Sequence, residues 1–221
     1  MASRVAVLDD YQDTARRSAD WSALDGRATV DFFHDQVSDE DVLVERLAPY
    51  DVVLAMRERT AFPHQVLDRL PALRLLVTTG MRNASIDVAA AQARGVVVCG
   101  TRSDARSTVE HTWALILGLS RHLAEEHRAM ASGGWQSTVG SGLHGKTLGV
   151  IGLGRIGAQV AAIGRAFGMD VVAWSENLSD EVAVERGATR VTYDELLGRA
   201  DVITVHQVLS GRTRGSWAHD S

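Results

Sequence analysis

The stretch KTLGVIGLGRIGAQVAAIGRAFGMDVVAWSE, residues 146–176, decides how the chain is read. A short apolar run, TLGVIGL, leads into Gly152, Gly154 and Gly157, spaced G-x-G-x-x-G; these open a helical pattern, RIGAQVAAIGRAFG, which feeds a second apolar run, DVVAWS. A glycine triplet alone is a weak signal. Between a strand and a helix, inside a strand–helix–strand unit of about 30 residues, it marks a dinucleotide-binding turn. Gly152 then allows the tight turn, Gly154 lets the backbone approach a pyrophosphate, and Gly157 lets the helix pack closely on the strand. The pyrophosphate would sit on the helix N-terminus, where unpaired N–H groups and the helix dipole favour negative charge.

The tip of the next strand discriminates between dinucleotides. An acid there accepts the ribose hydroxyls, whereas a basic residue accommodates a 2′-phosphate. The tip reads Ser175-Glu176, and no Lys or Arg occurs between Val171 and Glu185. NAD is therefore favoured over NADP, with Glu176 in range and Ser175 standing where an acid is expected.

Working outward, strand-like runs alternate with helical ones along the whole chain. RVAVLDD, ATVDFF, DVVLAM, LRLLVTTG and GVVVCGT read as strands, separated by segments such as SDEDVLVERLA and SIDVAAAQARG. The last of these is expected to start at a Ser85 N-cap and stop at Gly95. Parallel neighbours need crossovers and buried strands read as continuous apolar runs, so the class is α/β with parallel sheets. STVEHTWALILGLSRHLAEEHRAM, residues 107–130, reads as one long helix, followed by the Gly/Ser-rich ASGGWQSTVGSGLHG. A boundary near residues 101–107 gives two domains, 1–103 and 104–221.

Composition limits the partners. The 221 residues carry a net charge of −5, which argues against a nucleic-acid or anionic-membrane surface. The longest uncharged apolar stretch, TWALILGLS, is about half the ~18 residues of a membrane span. With Cys99 as the single cysteine and no signal-peptide core, a reducing, cytoplasmic setting is expected, with Cys99 itself buried. No metal site is expected, because the histidines at 111, 122 and 127 lack the i, i+4 zinc pairing.

Four segments, VTTGMRNASID (77–87), STVEHTWALILGL (107–119), GLHGKTLGVIGLGRIG (142–157) and ADVITVHQVLSGRTRG (200–215), together resemble the D-isomer-specific 2-hydroxy-acid dehydrogenases. The resemblance covers nearly the whole chain up to Gly215. It implies a flavodoxin-like N-terminal substrate domain followed by an incomplete Rossmann domain, with the active site in the cleft between them, and NAD-dependent hydride transfer on a small 2-hydroxy or 2-keto acid. It also implies roles for individual residues. Arg57, Gly80 and Met81 would meet the substrate, Arg57 through its carboxylate. Thr108 would lie near the nicotinamide, Arg155 and Ile156 on the pyrophosphate, and His206, Gln207 and Val208 along the adenosine ribose. The family implies a homodimer, an expectation not extended to this chain.

The family's catalytic arginine, glutamate and histidine follow the segment ending at Gly215, and SWAHDS does not match the helix expected there. No catalytic residue is assigned: His219 sits in a polar tail and His206 within the cofactor domain. The chain is thus expected to be a truncated dehydrogenase, inactive alone. The alternative is a non-catalytic NAD(H)-responsive binding protein on the same scaffold.

Overall fold

The computed structural model describes residues 2–208 and residue 213, arranged in two compact units, Met1–Ser103 and Asp104–Ser221. The end of the last family-like segment, residues 209–212 and 214–215, and the tail with His219 lie outside the described residues.

In the first unit, strands β1 (Ser3–Val7), β2 (Ala28–Phe32), β3 (Val52–Ala55), β4 (Leu75–Thr78) and β5 (Val97–Gly100) form one parallel sheet in the order β2-β1-β3-β4-β5. This is the flavodoxin-like arrangement. Helices α1 (Thr14–Ser18), α2 (Glu40–Leu47), α3 (His64–Leu67) and α4 (Val88–Ala93) make the crossovers, and a 3₁₀ turn spans Trp21–Leu24. Asp39 starts α2 by accepting the amides of Asp41 and Val42 at 2.9 and 3.1 Å, and Leu43, Val44 and Leu47 then turn inward. They meet Val53 and Leu76 from the middle of the sheet and Phe62, Val66 and Leu67 beside α3. Before α1, the Asp10 carboxylate is fully used on the amides of Thr14 and Ala15 and the Thr14 hydroxyl.

Two readings of this unit are corrected. Helix α4 is capped by Asp87, whose side chain accepts the Ala90 amide at 2.9 Å, and not by Ser85. Ser85 lies in the turn before the helix, with its amide on Asn83 Oδ1 and its carbonyl accepting from the Phe62 amide, so the cap falls two residues later. Cys99 is exposed, because β5 is an edge strand and covers only one flank of the sheet.

The second unit opens with α5 (Arg106–Ser120) and α6 (Leu123–Ala131), followed by β6 (Thr147–Ile151), α7 (Arg155–Ala166), β7 (Asp170–Trp174), α8 (Asp180–Glu185), β8 (Thr189–Arg190), α9 (Tyr193–Arg199) and β9 (Val202–Val205). The strands are parallel in the order β8-β7-β6-β9, which reproduces the first four places of the Rossmann order 3-2-1-4-5-6. Val109, Trp113 and Ile116 of α5 pack with Leu148 and Val150 of β6 and Val160 and Ala161 of α7. At the far end, Thr192 and Glu195 form a reciprocal capping box that starts α9.

The single long helix expected over 107–130 is two helices, broken at Arg121 and His122, where His122 has φ 52°. The break is made by hydrogen bonds at Ser120. The Ser120 hydroxyl bonds back to the Ile116 carbonyl at 2.7 Å, and the Ser120 carbonyl is taken by the Ser141 amide at 2.7 Å. The Gly/Ser-rich segment therefore terminates α5 instead of merely trailing from α6. Glu126 fastens the same segment to α6: its carboxylate accepts from the Ser137 and Thr138 hydroxyls at 2.9 and 2.7 Å and from the Thr138 amide at 2.6 Å. These donors, the Thr138 hydroxyl first, hold the Glu126 carboxyl below its ordinary range. A group with a lowered folded pKa stabilises above its unfolded value and loses that contribution as pH falls through the folded one. Glu126→Gln is accordingly expected to speed amide exchange at Ser137 and Thr138 at neutral pH, and acidification of the parent chain to lower the protection factors of the same amides relative to intrinsic exchange at each pH. Unchanged exchange in the variant would show that the carboxylate does not hold the segment.

Candidate nucleotide-binding site

The turn after β6 is built by backbone approach. Gly152 has φ 94°, a conformation that side-chain-bearing residues rarely adopt, and a Cβ there would lie 2.8 Å from the carbonyl carbon and oxygen of His206. Gly157 is pressed still harder: a Cβ would collide with the Gly152 carbonyl oxygen and approach Val150 Cγ1 to 3.1 Å. Gly154 differs from both, because nothing lies within 4 Å of the place its Cβ would take. It is the N-cap of α7, makes no side-chain cap bond, and is followed by no acid in the first turn. Open space over an uncapped helix N-terminus is what an approaching diphosphate requires, so the residues present fit a dinucleotide.

Two side chains hold the peptide units around Leu153. The Ser175 hydroxyl, at the tip of β7, accepts the Leu153 amide at 3.1 Å, and the Arg186 guanidinium donates to the Leu153 carbonyl. Ser175 thus braces the turn, while Glu176 beside it is exposed. Arg186 carried no sequence signal: it lies 29 residues beyond Gly157, at the C-cap of α8.

The remaining residues named from sequence surround the same end of the sheet. Arg155 begins α7, and Ile156 is half-buried next to it. The Arg155 charge reaches Asp104, whose carboxyl is held low mainly by hydrogen bonds from Arg106. Thr108 is exposed near the start of α5. The His206 amide bonds to the Ile151 carbonyl at 2.7 Å and its Nε2 lies 2.8 Å from the Thr204 hydroxyl; burial pushes its pKa below the ordinary range. Gln207 and Val208 follow, Val208 being exposed. A groove of about 750 Å³ runs between α5 and β9, lined by Leu115, Ile116, Leu119, Val202 and Ile203 and reaching His206, but it does not include the glycine turn.

In the first unit, Arg57 follows β3 with φ 57°, its amide on Thr79 Oγ1 at 3.0 Å and its Nε 3.6 Å from Glu58. Its guanidinium lies against Gly80, filling the place a Cβ would occupy there. Gly80 has φ 109° and donates its amide to Thr101 Oγ1 at 2.9 Å, and Met81 beside it is 67% exposed. Arg57, Gly80 and Met81 therefore sit together on adjoining strand ends, with Arg57 and Met81 exposed and Gly80 buried beneath the Arg57 guanidinium.

The chain matches the family model described as "D-isomer specific 2-hydroxyacid dehydrogenase, NAD binding domain" over residues 113–220. The crystal structure of a phosphoglycerate oxidoreductase from Vibrio cholerae superposes with a TM-score of 0.90 at 37% identity, over 96% of this chain and 69% of that one. The chain belongs to the D-isomer-specific 2-hydroxyacid dehydrogenase family. Its cofactor is NAD. Among curated relatives, D-3-phosphoglycerate dehydrogenase of Bacillus subtilis is 37% identical over 174 residues, 77% of this chain and 33% of that protein. Glyoxylate reductase of Aeropyrum pernix is 34% identical over 185 residues, 75% of this chain and 55% of that one. The chain thus spans about a third to about half the length of these two dehydrogenases. No helix among the described residues is long and apolar enough to cross a membrane.

Proposed function

We propose that residues 104–221 hold NAD(H) on the Gly152–Gly157 turn and that residues 1–103 recognise a small 2-hydroxy or 2-keto acid, in an NAD-dependent dehydrogenation of that acid. The observation that carries this reading is the open space at Gly154 over the uncapped start of α7, flanked by two glycines that tolerate no side chain. NAD(H), when bound, supplies or takes up the hydride of the 2-position. This chain's own residues do the rest. The α7 amides receive the pyrophosphate with Arg155 and Ile156, Glu176 meets the ribose hydroxyls, Ser175 fixes the turn, and His206, Gln207 and Val208 border the adenosine. Thr108 faces the nicotinamide. Arg57 binds the acid's carboxylate through its planar fork of donors, with Gly80 and Met81 beside it.

The 221-residue chain by itself is proposed to bind without turnover. Proton transfer to the substrate oxygen needs a positioned acid/base, usually a histidine oriented by a carboxylate. Among the described residues, His206 is paired with Thr204, and the one histidine–carboxylate pair of the second unit, His122 with Glu125, lies at the start of α6.

Fluorescence titration with NADH tests the proposal. Saturable binding is expected for the parent chain, and at least tenfold weaker binding for Gly154→Trp, whose Cβ meets nothing within 4 Å and whose ring occupies the space a diphosphate would need. Absence of binding by the folded parent chain would refute the cofactor assignment. Turnover of any 2-hydroxy acid by the chain alone would refute the second part.

A further inference from the structure

Helix α7 begins against the usual rules. Its N-terminal end has no side-chain cap and no acid in the first turn, and its first residue is Arg155. A second cation is brought to the same end by Arg186, which donates to the carbonyl of Leu153, the residue preceding the N-cap. Helix N-termini carry positive potential, so cations there are unfavourable and anions favourable. Arg155 has a partial answer in Asp104. Arg186 has none: among the described residues no carboxylate lies within ion-pair distance of it.

Its placement is nonetheless fixed from several sides. Ser179 caps α8, the Arg186 amide closes the helix on Val182 and Val184, and Gly187 turns the chain away with φ 71°. The backbone that carries Arg186 is therefore a fixed corner, from which the exposed side chain reaches the Leu153 carbonyl, and that single carbonyl takes up one of five N–H donors. A cation held at a site that repels it, with donors to spare, is a local conflict of the kind that a bound anion resolves.

We infer that Arg186 is a positioning residue for the cofactor pyrophosphate: it locks the Leu153 carbonyl and places its charge beside the uncapped start of α7. Together with Ser175, which holds the Leu153 amide, it keeps the turn open before the nucleotide arrives. The inference rests on the NAD(H) reading of this turn and adds a residue outside the glycine motif.

The test uses the full 221-residue chain and the variants Arg186→Met and Arg186→Lys, titrated with NADH, ADP-ribose and adenosine, with a thermal melt of each variant. Arg186→Met is expected to weaken NADH and ADP-ribose about tenfold or more and to leave adenosine unchanged, with Arg186→Lys recovering part of the loss. The salt dependence of NADH binding should also become shallower in Arg186→Met. Equal affinity of Arg186→Met and the parent chain for ADP-ribose overturns the inference. An equal loss for all three ligands overturns it too, because Arg186 would then only shape the turn. If Arg186→Met melts too early to titrate, Arg186→Lys decides: parent-like adenosine binding with weakened ADP-ribose supports the role, and unchanged ADP-ribose rejects it. Failure of the parent chain to bind NADH is a separate result, which removes the NAD(H) reading itself.

Discussion

Gly157→Ala is expected to abolish measurable NADH binding, an affinity loss of at least about 100-fold, and to destabilise the second unit by roughly 1–3 kcal/mol or more. The reason is that the new methyl group meets backbone. It would strike the Gly152 carbonyl oxygen and crowd Val150, and neither can rotate away as a flexible side chain would. Relief requires α7 to lift from β6 or the Gly152 peptide to turn. The first opens the core where Val160 and Ala161 meet Leu148 and Val150. The second disturbs the backbone against His206, 2.8 Å from the place a Gly152 Cβ would occupy. Both move the α7 amides away from a bound pyrophosphate. Gly198→Ala is the control, since Gly198 lies in exposed α9 with nothing within 4 Å, and alanine there should be neutral or stabilising by about 0.5–1 kcal/mol. Chemical denaturation and NADH titration of both variants check the pair. Parent-like binding by Gly157→Ala would mean that the turn does not hold the nucleotide.

The contrast among these glycines shows what a sequence can reveal about such a site. The triplet and its strand–helix context are local in the chain, so the turn and its class were readable from residues 146–176 alone. The α/β class with parallel sheets was readable from the alternation of apolar runs and helical crossovers, whereas the order of the strands was implied only by the family resemblance. What escaped depends on contacts between distant residues. The break at His122 depends on Ser141 capping Ser120, and the capping of α4 at Asp87 depends on Phe62 holding the Ser85 carbonyl in the preceding turn. Cys99 looked buried because its neighbours are apolar, yet its strand is an edge. Arg186 illustrates the same limit at the site itself: only the folded α8–β8 corner brings it to Leu153. Ser175 occupied an expected position, but its work as a brace for the Leu153 amide could not be read from residue type.

Phe62→Ala is expected to produce the largest loss of stability, about 3–5 kcal/mol, confined to the first unit. Phe62 is fully buried, at 0% exposure, and belongs to the core that joins α2, α3 and the middle strands. Its backbone also forms a bridge with Ile86: the Phe62 amide bonds the Ser85 carbonyl at 2.7 Å and the Asp87 amide bonds the Phe62 carbonyl at 3.0 Å. Removing the ring therefore leaves a cavity beside the segment that sets the start of α4. The bridge fixes the backbone on one side of that cavity and limits its collapse, which places the cost toward the upper end of the range for aromatic truncations. Hydrogen exchange is the informative measurement. Amides of β1, β3 and β4 should lose protection by the full destabilisation, whereas those of β6 and β7 should keep theirs, because the two sheets have separate cores. NADH affinity should stay within about twofold of the parent chain for the same reason, the proposed nucleotide site lying within residues 104–221. Equal loss of protection in both sheets would show instead that the units fold as one, and would remove the basis for assigning nucleotide binding to the second unit alone.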